Sequence, residues 1–263
     1  MDTAPVTRVK DALDPARAAA MAATLDRPAP RDVLPPFWHH AHFWEARPPA
    51  DLGRDGHPRV GLGPIPDMGL PRRMWAGGRL DWHAPLRLNE VAEKATRLLR
   101  AEAKTGRTGP LALVTLEHRI TQGARLPVVE RQDLVYREDP DPTAPRPTPR
   151  QAGSAPVEEA RAFDAVALFR FSALTFNGHR IHYDEAYARE VEGHPGVIVH
   201  GPLLAEGLIE LATRHLGPLA SFEYRATAPA IRDEVLTFCL DGARAFVRGA
   251  DGRLCLEGTA AAA

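Results

Sequence analysis

The sequence predicts an α+β protein made of two antiparallel, strand-rich halves, and three observations carry that expectation. The stretch 139–156 has prolines at 140, 142, 145, 147, 149 and 156, which support neither a helix nor a strand ladder. It therefore reads as an extended connector between residues 1–138 and 157–263. In the second piece, Gly201 to His215 places Leu203, Leu204, Leu208, Leu211 and Ala212 at helical spacing, and Gly217 reads as the stop. Short segments follow at roughly 219–229, 232–241, 243–249 and 253–258, bounded by Gly, Pro or Asp, and they read as an antiparallel meander wrapped around that helix. A chain of 263 residues can bury a core in each half, although no repeat relating the halves is legible in the letters.

The remaining elements follow in chain order. Met1 to Asp11 shows little pattern, and Asp14-Pro15-Ala16 then reads as an N-cap with proline at the first helical position, opening an alanine-rich helix to about Leu25. Asn89 to Lys104 carries a helical stripe of Val91, Ala95, Leu98 and Leu99 in a helix-favouring composition. Leu111 to Ile120 alternates as a strand does, and Arg131 to Arg137 is a second strand. Asp164 to Phe171 reads as a strand, with strand-like character running on to Phe176, and Asp184 to Glu190 as a short helical segment.

Composition excludes several functions. With 33 basic and 34 acidic residues the formal charge is −1, so no global field recruits nucleic acid or an anionic membrane, though local arginine clusters could bind phosphates. Cys239 and Cys255 lie in apolar runs and read as small buried thiols, with neither the number nor the spacing of a disulfide framework or zinc site. No apolar run approaches the ~20 residues that span a bilayer, and the N-terminus lacks a signal pattern, so the expectation is a soluble cytoplasmic protein. The cluster His39-His40-Ala41-His42 has no second ligand set beside it, so no metal is expected there. His118 and His215 read as surface or core-edge residues.

The chemistry-bearing run is Phe171-Ser-Ala-Leu-Thr-Phe-Asn-Gly-His-Arg-Ile-His-Tyr-Asp184, followed by Val199-His-Gly-Pro-Leu-Leu204. It sets Asn177 and His182 five residues apart and then opens a helix at Gly201, a layout suited to water chemistry beside an oxyanion. The run resembles the hydratase motif of the MaoC-like hydratases of the hot-dog superfamily, in which an Asp and a His five residues apart add water across an enoyl thioester. Asn177 stands at the Asp position, Ile181 at the aliphatic position and His182 at the catalytic His. Residues 34–40, 51–58 and 70–80 resemble the N-terminal half of the mesaconyl-C4-CoA and itaconyl-CoA hydratases, whose relatives include mitochondrial-type 3-hydroxyacyl-thioester dehydratases.

The resemblance implies a double hot-dog with antiparallel sheets each wrapped around a central helix, and strands over 89–104 in place of the helix that propensity suggests. It implies a non-catalytic, substrate-binding half at 1–138 and a catalytic half at 157–263, with a homodimer as the expected assembly. The implied activity is a cofactor-free hydro-lyase on acyl-CoA thioesters, the leading substrate a C5 dicarboxyl enoyl-CoA. Fatty-acid-type dehydration, thioester hydrolysis and non-catalytic acyl-CoA binding stand as alternatives.

Within that implied activity His182 takes the proton from water, and the backbone N–H of Gly201 faces the thioester oxygen; Pro202 has none to give. An amide accepts no proton, so Asn177 orients the water, and either His182 alone shuttles the proton or a neighbour such as Tyr183 or Asp184 shares the work. Asn177-Gly178 is also a favoured turn dipeptide, and Gly201 also suits a packing role. Arg72, Arg73 and Trp75 are the implied substrate-binding residues, the arginines able to meet a free carboxylate or CoA phosphates, or to sit in solvent.

Overall fold

The computed structural model describes residues 6–106, 109–141, 143 and 147–263, and shows one continuous ten-stranded antiparallel sheet with three α-helices. The first half contributes β1 (Thr7–Asp11), α1 (Pro15–Leu25), β3 (Arg72–Trp82), β5 (Ala92–Gly106), β6 (Gly109–Gln122) and β7 (Arg125–Arg137); β2 (Val33–Leu34) and β4 (Leu86–Arg87) make a small separate ribbon. The second half contributes β8 (Val157–Arg161), α2 (Ala165–Thr175), α3 (Gly201–Leu216), β9 (Leu219–Ala226), β10 (Leu236–Asp241), β11 (Arg244–Arg248) and β12 (Leu254–Ala262). Of the connector 139–156, positions 142 and 144–146 lie outside the described residues.

The sheet order is β1-β5-β6-β7-β3-β9-β12-β11-β10-β8, so each half repeats the same arrangement and the two meet back to back at β3 and β9. That seam pairs Gly77–Asp81 with Ser221–Arg225, centred on Arg79 opposite Glu223. Each half begins with an edge strand and a helix capped by an aspartate: Asp14 accepts from Ala16 N and Asp164 from Ala167 N, both at 2.8 Å. Each helix ends in a left-handed residue, Asp26 or Phe176. The repeat is built from caps and turns, while α1 is alanine-rich and α2 is not, which is why the letters do not show it.

Three expectations need correction and one holds. Residues 165–175 form a helix, not a strand: Asp164 caps it, and Leu168 and Phe171 are buried one turn apart. Val166 and Phe169 on its outer side are exposed yet apolar, which hides the helical stripe. The segment Ala92–Gly106 is a strand, as the family resemblance implies and against its helical propensity, because β6 pairs it along its length and β1 pairs its first part. Thr7–Asp11, which shows little pattern, is the edge strand. The helical segment expected at 184–190 is a π-helical turn over Tyr187–Val191, led in by the Asp184 carboxylate, which accepts from Tyr187 N at 3.0 Å.

Helix α3 lies across β9–β12 and buries Leu203, Leu204, Leu208 and Leu211 against strand residues such as Phe222 and Phe238. Each such side chain contributes on the order of 1.5–3 kcal/mol of transfer free energy. The first half differs. Between α1 and β3 the chain forms only the ribbon strand β2 and two 3₁₀ turns, Trp38–Ala41 and Pro49–Asp51, and α1 packs mainly on α2 and the first of these turns. The inner faces of β6 and β7, with Leu116, His118, Glu130, Gln132, Leu134 and Tyr136, consequently line a cavity. One half is thus wrapped around a helix and the other around a cavity. Cys239 and Cys255 are free and buried, and burial raises both thiols. Among the described residues no helix is long and apolar enough to cross a membrane.

The seam predicts how the halves depend on each other. Residues 1–138 expressed alone expose the unpaired edge of β3 and are expected to aggregate, whereas proteolytic nicking within 139–156 should leave one particle of native size on gel filtration. Separation of the nicked protein into two well-behaved halves would contradict a shared sheet.

Candidate active site

The site is assembled by the turn that follows α2. Phe176 takes the left-handed conformation that ends the helix, Asn177 donates its backbone N–H to Ser172 O at 2.8 Å, and the Asn177 Oδ1 accepts from His179 N at 3.0 Å. The turn role foreseen for Asn177 is therefore present, and its side chain also lines the cavity. A 3₁₀ turn over Arg180–His182 then delivers His182, whose Nδ1 lies 2.8 Å from the carbonyl of Ile198. A carbonyl only accepts, so the proton sits on Nδ1 and Nε2 is left with its lone pair. Burial lowers His182 to a pKa of about 4, and it is neutral near pH 7. Its ring stacks on His200 at 3.7 Å between centroids, and His200 Nε2 in turn meets Ser172 Oγ at 2.8 Å.

Gly201 is the first residue of α3, so its N–H has no acceptor within the helix and stands at the positive end of the dipole. A side chain there has no room: a Cβ would lie 2.4 Å from Trp75 Cε3, and Trp75 is held by stacking on Tyr224 at 4.7 Å. Gly201→Ala is expected to displace the indole and lower kcat/KM by about 10²-fold, measured with melting temperature on the same sample. Activity within threefold of the parent would show that neither the glycine nor its N–H is needed.

Asn177, His182, Gly201, Arg73 and Trp75 all face one cavity of about 660 Å³, lined by both halves. Arg72 is not among its lining residues. Its Nε is bonded to the buried Glu192 carboxylate, whereas Arg73 makes no ion pair among the described residues. Asp184 is engaged by Arg180 at 2.7 Å, and Tyr183 donates to Gly178 O at 3.0 Å; neither lines the cavity.

Four further residues, with no local sequence pattern to mark them, surround the turn that carries His182. His179 lies edge-on to it at 5.5 Å, His200 stacks on it, and His57 approaches His179 at 4.6 Å. Asp55 and His57 come from the first half, on a loop that clasps the turn carrying His182. Arg180 N donates to Asp55 O at 2.9 Å, and a Cβ at Gly56 would lie only 2.0 Å from Gly178 O. Burial, with Arg73 adding to it, holds His57 well below its usual range. Burial and the neighbouring His182 and Arg73 hold His179 at about 2.

Among the described residues two groups have donor atoms close enough to hold a metal ion: Asp55, His57 and His179, and His39, His40 and Glu130. The second corrects the premise that the 39–42 cluster has no further ligand, because the sheet brings Glu130 to it. His39 and His40 present Nε2 to that carboxylate at 2.9 and 3.0 Å, while His42 turns away to Asp11. His118, expected at the surface or the core edge, is buried, its Nδ1 2.8 Å from Thr96 Oγ1, and burial takes its pKa to about 4.

Comparison with known proteins gives this geometry its family. The model of the family described as hydroxyacyl-thioester dehydratase type 2 matches residues 37–232. The mesaconyl-C(4)-CoA hydratase of Chloroflexus aurantiacus is 45% identical over 231 residues, 84% of this chain and 81% of that protein. The mitochondrial hydroxyacyl-thioester dehydratase type 2 of Schizosaccharomyces pombe is 27% identical, over 79% of this chain and 77% of its own. Among solved structures, HtdX of Mycobacterium tuberculosis superimposes with a TM-score of 0.70 at 18% identity, covering 98% of this chain and 100% of that one. A second M. tuberculosis protein, described as a double hotdog fold, gives 0.61 at 15% identity, over 99% and 96%. The fold is a double hot-dog, the activity is that of a hydro-lyase, and the chain belongs to the hydroxyacyl-thioester dehydratase type 2 family.

Proposed function

We propose that the protein adds water reversibly to a short α,β-unsaturated acyl-CoA thioester that carries a free carboxylate, with His182 as base. The observation that carries this reading is the His182 imidazole, fixed by Ile198 O at 2.8 Å with Nε2 free, in one cavity with Asn177 and the start of α3. Water held by the Asn177 amide attacks Cβ and gives its proton to Nε2. Charge moves to the thioester oxygen, where the Gly201 N–H and the helix dipole stabilise it. As the enolate collapses, Cα takes the proton back from Nε2–H, so one group serves both steps and one water is added in all.

The substrate class is supported by the relative named mesaconyl-C(4)-CoA hydratase, by the uncommitted Arg73, and by polar lining at His118, Glu130 and Gln132. A long alkyl chain gains nothing from such a wall, which disfavours the fatty-acid-type alternative. In this reading 1–138 shapes the acyl site and 157–263 supplies His182, Asn177 and Gly201. The cytoplasmic location and homodimer remain part of the proposal. The test is a panel of mesaconyl-C4-, itaconyl-, crotonyl- and longer 2-enoyl-CoA. The expected result is loss of the enoyl absorbance without release of thiol, fastest on a dicarboxyl thioester; thiol release in step with that loss would mark a thioesterase instead.

A further inference from the structure

When a free carboxylate is carried on Cβ, it lies one bond from the carbon that water attacks. The groups that recognise it therefore have to stand beside His182, whereas His39 and His40 are already engaged by Glu130. Three cavity-lining side chains gather at His179, the ring neighbour of His182, and are otherwise uncommitted. Arg73 lies on β3 at the cavity wall, and among the described residues its side chain makes no ion pair or hydrogen bond. The other nearby cation, Arg72, is neutralised by Glu192. His179 is 6% exposed and its Nε2 has no partner, a costly arrangement unless a ligand supplies one. His57 completes the group with its ring 4.6 Å from that of His179. Both histidines line the cavity, and the field of Arg73 reaches both.

We infer that Arg73, His57 and His179 form a clamp for a carboxylate borne on Cβ and so set the substrate preference of the enzyme; this rests on the hydratase reading above. Arg73 supplies the charge and the neutral imidazoles supply N–H donors, which is the chemistry a desolvated carboxylate requires. The opposing charge at hand is Asp55, whose Oδ1 already accepts the His57 backbone N–H at 3.0 Å. His57 comes from the first half, so the clamp exists only when the 53–58 loop is seated on the catalytic turn. That loop is anchored there by Arg180 N to Asp55 O. The first half would then decide which thioester the second half hydrates.

The test compares mesaconyl-C4-CoA with 3-methylcrotonyl-CoA, which differ only in the replacement of the carboxylate by a methyl group. The readout is the ratio of kcat/KM on the two thioesters, for the parent and for Arg73→Met, His57→Leu, His57→Gln and His179→Leu, with melting temperature as a control on folding. The parent is expected to favour the carboxylated thioester. Arg73→Met, His57→Leu and His179→Leu should each lower the ratio about tenfold or more, mostly through KM, and His57→Gln, which keeps an N–H donor, should recover most of the loss. An unchanged ratio in the variants of a parent that hydrates the carboxylated thioester would overturn the clamp and leave the hydratase reading intact. A parent that hydrates only uncharged enoyl thioesters would overturn both the clamp and the dicarboxyl substrate.

Discussion

His182→Ala is expected to lower kcat by roughly 10²–10⁴-fold, the usual share of a positioned general acid–base group, with little change in KM. The imidazole is locked by the Ile198 carbonyl and by stacking on His200, with its Nε2 lone pair left free in the cavity that Asn177 also lines. Asp184 is bound to Arg180 and Tyr183 to the main chain, so neither can take over. Because burial puts the folded pKa of His182 at about 4, the base stays unprotonated at neutral pH, and its activity should persist on acidification until the pH nears that value. A variant that keeps a third of the parent kcat would remove His182 from the mechanism.

Glu206→Gln should stabilise the protein by about 3 kcal/mol at pH 8. Glu206 sits on α3, only 6% exposed, with Trp38 Nε1 donating to its carboxylate at 3.0 Å. Burial raises its pKa from 4.5 to about 7. The folded state thus holds a proton that the unfolded chain releases near 4.5, and the stability it contributes, full below that pH, is lost as pH rises through about 7. The amide keeps an acceptor for Trp38 and never ionises. Urea unfolding at pH 4.5 and pH 8 should show the two proteins close together at the lower pH and separated at the higher. An equal difference at both would mean that Glu206 acts through packing alone.

The residues legible in the sequence were those whose roles are local. The spacing of Asn177 and His182, the glycine that opens α3 and the stop at Gly217 depend on neighbours within a few positions, and the fold brings the first three to one cavity. Arg72 and Arg73 show where letters fall short: successive strand residues point to opposite faces, and only the pairing of β3 with β7 and β9 decides that Arg73 meets the cavity while Arg72 meets Glu192. Asp55 and His57 were visible as residues but not as site components, since their approach to His179 comes from the tertiary contact between the 53–58 loop and the turn after α2. Residues 165–175 failed for a different reason, because apolar side chains on the exposed face erased the period that marks a helix.

The claim that one base both takes and returns the proton is tested most directly by running the hydration in deuterium oxide and reading the relative configuration at Cα and Cβ of the product by proton NMR. A single group, His182, on one face of the double bond predicts syn addition, with deuterium delivered at Cα to the face that received the hydroxyl at Cβ. Anti addition would require a second proton donor on the opposite face and would contradict the account.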